Sequence, residues 1–123
     1  MTPDLLEKEH TLATATARYD QLRLREIQDD GLGREESLEL LALSEVIGRK
    51  VAYGRQLSVR TARAAGASWT QIGAALGTTK QAAWEAHARW IDDQARQHLE
   101  TGIEGLAPTD IANLRELAGD ADA

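Results

Sequence analysis

The sequence predicts an all-α protein: a long N-terminal helical hairpin, then a helix-turn-helix unit and a short C-terminal helix. Three observations predict it. Apolar residues recur at helical spacing almost throughout, and no stretch alternates as a strand does. Alanine is abundant and phenylalanine is absent, so the core must use Leu, Ile, Val, Ala and three Trp. Glycines punctuate the chain where helical patterns end.

Residues 3 to roughly 29 read as one long helix. Pro3 suits its first turn, and Asp4 and Glu7 complement the amino-terminal dipole. Leu5, Leu12, Tyr19 and Glu26 fall on one seam close to a seven-residue repeat, with Ala15 or Thr16 and Leu22 between them. Such a seam fits an antiparallel partner in the same chain or a second copy in a homodimer. Asp29, Asp30, Gly31, Leu32 and Gly33 read as the turn. Gly31 and Gly33 are no phosphate loop, because no strand precedes them and no GKS or GKT follows.

A second long helix is expected from Arg34 or Glu35 to Ala65. Leu38, Leu41, Glu45 and Gly48 line one face; Leu40, Leu43, Ile47 and Val51 line another. Apolar residues on both faces predict contacts on two sides. Gly48 and Gly54 are expected to mark close helix crossings or a break near Tyr53. Beyond Gly54 the helix turns basic, with Val59 and Ala62 facing the unit that follows and Gly66 as the stop.

The stretch from Ala65 to Trp90, AGASWTQIGAALGTTKQAAWEAHARW, is the centre of the chain. Ser68 is a good N-cap, and Ile72, Gly73 and Leu76 then share one side of a short helix. Gly77 can take positive φ and turn the chain. Thr78 or Thr79 can cap the next helix, which carries Ala82, Ala83, Ala86 and Trp90 inward. The small Gly73 and Ala83 permit close approach. That second helix is expected to continue through Ile91, Ala95 and Leu99 to Thr101. A link of residues 102–107 and a helix from Pro108, with Ile111, Leu114 and Leu117 as its stripe, complete the chain. Gly119 ends that helix, and residues 120–123 are expected to fray. The predicted division is 1–54 for the N-terminal helices, 55–101 for the helix-turn-helix region and 102–123 for the C-terminal helix and acidic tail.

This central stretch resembles the helix-turn-helix DNA-binding unit of many small actinobacterial regulators and of the promoter-reading region of sigma factors. Ile72 and Gly73, the Leu76-Gly77 turn, and Ala83 and Ala86 carry the resemblance. Thr78 departs from it, since such units usually place an apolar residue there. The resemblance implies that the helix starting at Thr79 enters a DNA major groove.

The net charge of −6 speaks against nucleic acid at first sight. Its distribution does not. Residues 49–89 hold seven basic residues and one acid, while 1–48 hold five basic and eleven acidic and 90–123 hold two and eight. Phosphate contacts need only a local positive face, because screening limits fields to about 10 Å. The bland alternative is that the acidic flanks fold back onto the basic centre.

Gln81 can pair with an adenine edge, Lys80 with guanine acceptors or a phosphate, and Glu85 with cytosine. Thr79 can donate to a phosphate or meet a thymine methyl. Thr70 and Gln71 are candidates for backbone contacts, and Arg60, Arg63 and Arg89 for the flanks. Trp69 and Trp90 read as packing residues, and so does Trp84, for which contact with a DNA sugar or thymine methyl is the alternative. Cysteine is absent, His87 and His98 are about 16 Å apart along a helix, and no metal or nucleophile motif occurs. No enzyme, cofactor or metal role is expected. No basic-plus-apolar leader or membrane-length apolar run occurs, so a cytoplasmic, nucleoid-associated protein is expected. The expected partner is double-stranded DNA, bound by a homodimer. The alternative is a protein-interaction module, antitoxin-like or sigma-like, that binds a protein partner through its acidic N-terminal helices.

Overall fold

A computed structural model of the chain describes residues 1–28 and 31–123. These form six α-helices and no strand: α1 (Pro3–Glu9), α2 (Leu12–Ile27), α3 (Arg34–Ala64), α4 (Trp69–Leu76), α5 (Lys80–Thr101) and α6 (Pro108–Ala118). The all-α expectation holds for the described residues. The chain divides into two compact units, Met1–Gly54 and Arg55–Ala123. Helix α3 contributes residues to both.

In the first unit the single helix expected over residues 3–29 is two. His10 is extended (φ −114°, ψ 143°), and Thr11 and Thr14 form a reciprocal capping box that starts α2. The Thr14 hydroxyl oxygen accepts from the Thr11 amide at 3.0 Å, and the Thr11 hydroxyl oxygen accepts from the Thr14 amide at 3.2 Å. Two hydroxyls three residues apart give the backbone a local alternative to unbroken helix. The break shifts part of the seam. Ala15 and Leu22 are buried as expected, but Leu6 is buried in place of Leu5, Leu12 is exposed and Tyr19 is half-buried.

Leu40, Leu43 and Val46 of α3 complete this core. Ion pairs fix the direction of the hairpin: Arg18 grips Glu39 with two bonds of 2.8 Å, and Arg25 pairs with Glu36. Later residues of α2 thus meet earlier residues of α3, the antiparallel sense. The Arg18 guanidinium holds the Glu39 carboxyl below the usual carboxylate range. The second apolar face of α3 stays unpacked, with Leu38 and Leu41 exposed. Gly48 and Gly54 mark neither a crossing nor a break. The helix runs through both, and a Cβ at either would meet nothing within 4 Å. Of the expected turn, Asp29 and Asp30 lie outside the described residues, and Gly31 has φ +80°.

The second unit packs α4, α5 and α6 around the end of α3. Its core is Val59, Trp69, Ile72, Ala83, Ile91, Ile111, Leu114 and Ala118, with Ala62, Trp84 and Trp90 packed against it. Among the described residues His87 is the one polar residue in the buried set, 1% exposed. It lies between Trp69 and Trp90, with ring centroids 5.6 and 5.4 Å away. Ala83, His87 and Ile91 fall at i, i+4 and i+8, so this stripe turns inward together. Residues 120–123, expected to fray, are drawn into an ordered turn in the structure. The Asp120 carboxylate accepts from the amides of Asp122 and Ala123 at 2.9 and 3.1 Å, which closes a compact turn.

Candidate nucleic-acid interface

Helix α4 begins with a second capping box. The Ser68 hydroxyl oxygen accepts from the Gln71 amide at 3.1 Å, and the Gln71 side-chain carbonyl accepts from the Ser68 amide at 2.9 Å. The helix ends at Gly77, left-handed at φ 70°, ψ 31°, and the Thr78 amide donates to the Gly73 carbonyl at 2.8 Å. Gly73 sits against the turn itself. A Cβ there would lie 2.9 Å from the Thr78 carbonyl oxygen and from backbone atoms of Thr79. Only glycine permits this approach. Thr79 then caps α5, its hydroxyl oxygen accepting from the Ala82 amide at 3.0 Å. Helix, glycine-locked turn and helix therefore form as the spacing predicts.

The face that α5 leaves uncovered is well defined. Gln81, Glu85 and Arg89 recur every four residues, all exposed, and spread over about 12 Å of helix. At 3.6 residues per turn they lie across the helix from Ala83, His87 and Ile91. The Gln81 side-chain amide donates to Glu85 at 2.9 Å, which orients both groups. Thr70, Gln71 and Thr79 are exposed at the starts of α4 and α5.

The other candidates are placed differently. Arg63 is structural. Its guanidinium donates twice to the Leu117 carbonyl, at 3.2 and 3.0 Å, and once to the Ala67 carbonyl at 2.9 Å. It also stacks over Trp69, 5.2 Å from the ring centroid. A planar fork of donors over an indole suits arginine and not lysine. Arg60 lines a cleft of about 280 Å³ with Asp110 and Asn113 of α6, away from the exposed α5 stripe. Lys80 is paired, its ammonium 2.7 Å from the Asp122 carboxylate, and this contact holds the Asp122 carboxyl below its usual range.

The acidic flanks do fold back on the basic centre. Arg49 pairs with Asp4 and Glu45 and lies 3.6 Å from Glu7, while Lys50 donates to the Glu7 carbonyl. With Arg63 and Lys80 engaged as well, Arg55, Arg60 and Arg89 are the basic residues of the segment that make neither an ion pair nor a side-chain hydrogen bond among the described residues. The positive face is narrower than the sequence count implies.

All three Trp are packing residues. The Trp69 indole donates to the Ala118 carbonyl and the Trp84 indole to the Gly119 carbonyl, each at 2.8 Å. Sequence reasoning missed His87, which lies in the stripe it had marked through Ala83. Burial, with the Arg63 charge adding to it, pushes the His87 imidazole down to about 4. Its Nδ1–H donates to the Gln56 side-chain carbonyl at 2.9 Å. Among the described residues no three His, Asp or Glu side chains converge on a metal position, and no helix is long and apolar enough to cross a membrane.

No protein-family model matches the chain, and neither the curated proteins nor the solved structures include a match to it.

Proposed function

We propose that this chain binds double-stranded DNA through α4, its turn and α5, as a transcriptional regulator or nucleoid-associated protein. The observation that carries the reading is the exposed Gln81, Glu85 and Arg89 stripe on a helix whose entry angle is locked by Gly73 and Gly77. The start of α5 enters the major groove. Gln81 reads an adenine edge, Glu85 accepts from cytosine, and Arg89 contacts phosphate further along. Thr70, Gln71 and Thr79 supply neutral donors to the DNA backbone. Lys80 joins them once it leaves Asp122. A homodimer would present two such helices about 34 Å apart, one turn of duplex.

The test is binding of the full chain to mixed-sequence duplex at low and moderate salt. Two to three phosphate contacts give a loss of roughly 10- to 40-fold between 50 and 200 mM salt. Lys80→Ala with Gln81→Ala weakens binding further. Affinity that ignores both salt and the double substitution removes the proposal. A protein-binding role would rest instead on the N-terminal unit, where Leu38 and Leu41 stay exposed beside Glu35 and Glu45. Retention of a protein partner with no retention of DNA supports that reading.

A further inference from the structure

Segment 119–123 is built against the start of α5 with more structure than a helix end needs. Three successive carbonyls, of Leu117, Ala118 and Gly119, each accept from a different side chain: Arg63, Trp69 and Trp84. Gly119 then takes φ 60°, ψ −151°, a conformation open essentially to glycine alone. That reverses the chain. The Asp120 turn follows, and it presents Asp122 to Lys80 at 2.7 Å. Trp84 and Lys80 stand one helical turn apart on α5, so the segment lies along the stripe next to Gln81 and Glu85.

We propose that segment 119–123 is an autoinhibitory strap. Its Asp122 carboxylate occupies the Lys80 ammonium in place of a DNA phosphate and must be displaced before α5 can seat in a groove. The inference rests on the DNA-binding reading and specifies how that site is regulated. The Asp122 side chain is 83% exposed and that of Lys80 48%, so the pair is solvated and weak. A polyanion can therefore exchange with it, while Asp120 and Asp122 add two negative charges where phosphates must approach. The anchors differ from the latch. Arg63, Trp69 and Trp84 bind backbone carbonyls, so they hold the root of the strap whether or not Asp122 has let go.

Asp122→Asn in the full chain separates latch from anchor. Duplex affinity is expected to rise about three- to tenfold at 50 mM salt, and the slope of log affinity against log salt to steepen by about one, as for one more phosphate contact. Glu116→Gln makes the same charge change on α6 outside the contact, and it is expected to give less than half that gain. In a Lys80→Ala background the gain from Asp122→Asn should fall to that of the Glu116→Gln control. Equal affinity of wild type and Asp122→Asn, with both binding duplex, overturns the strap and leaves the DNA reading standing. So does a gain that persists in full without Lys80. Failure of both proteins to bind duplex at 50 mM salt overturns the DNA reading, and the strap with it.

Discussion

His87 donates its Nδ1 proton to the Gln56 side-chain carbonyl at 2.9 Å, and this one bond ties α5 to the end of α3 inside the aromatic core. A charged imidazole there would lose hydration among Trp69, Trp90 and the Arg63 guanidinium. The folded-state value near 4 lies below the ordinary 6.5, so the unfolded chain binds the proton more tightly. Stability is therefore fully present above pH 6.5 and is lost as pH falls toward 4, where the loss approaches about 3 kcal/mol. Urea unfolding at pH 7, 5 and 4 measures it. His87→Phe, which fills similar space and cannot ionise, should lose distinctly less over that interval. Parallel losses in both proteins would place the acid sensitivity elsewhere.

Gly73→Ala is expected to destabilise the second unit by about 1–3 kcal/mol. A helix-interior glycine ordinarily gains stability on conversion to alanine, but here the new methyl meets turn backbone at 2.9 Å. Gly48→Ala and Gly54→Ala provide the contrast. Both lie inside α3 with nothing within 4 Å of the added atom, so each should stabilise by about 0.5–1 kcal/mol. Opposite signs in thermal melts of these variants are the expected result.

Arg63→Met should cost about 2–3 kcal/mol, because the Leu117 and Ala67 carbonyls lose charge-assisted donors and Trp69 loses its cation. Arg63→Lys should recover only part, since a single ammonium cannot span both carbonyls. Removing the positive charge should also raise the His87 value, which proton NMR of the imidazole reads. An unchanged His87 titration would remove Arg63 from the causes of that shift.

Much of the second unit was legible because several local signals agreed. Ser68, Gly77 and Thr79 each do what their chemistry suggests, and Ala83 and Ile72 are buried at their expected spacing. The first unit was harder. Leu5, Leu12 and Tyr19 make a plausible seam only if the helix is continuous, and the break depends on Thr11 and Thr14 sharing hydroxyl bonds. Neither Thr differs in type from Thr16, which simply bonds back to the Leu12 carbonyl within the helix. Arg63 and Lys80 were legible as basic residues but not as engaged ones. Their partners, Leu117 and Asp122, lie 54 and 42 residues away, and no local pattern reports such pairings. His87 was hidden for a different reason. A polar residue at an inward position is discounted unless its partner, here Gln56, can be foreseen.

Arg89 and Arg60 are both exposed arginines of the basic segment, yet they should differ in their effect on DNA binding. Arg89 continues the Gln81 and Glu85 stripe, where a duplex seated on the start of α5 would bring phosphate. Arg60 borders the cleft with Asp110 and Asn113 of α6, off the α5 stripe. Arg89→Ala is expected to weaken duplex binding and lower the salt slope by about one, with stability changed by less than about 0.5 kcal/mol. Arg60→Ala should leave the slope within error of wild type. Salt titrations of the two variants, read beside their thermal melts, check the pair. A slope that falls for Arg60→Ala and not for Arg89→Ala would mean that the duplex approaches the end of α3, and the assignment of α5 as the reading helix would fail.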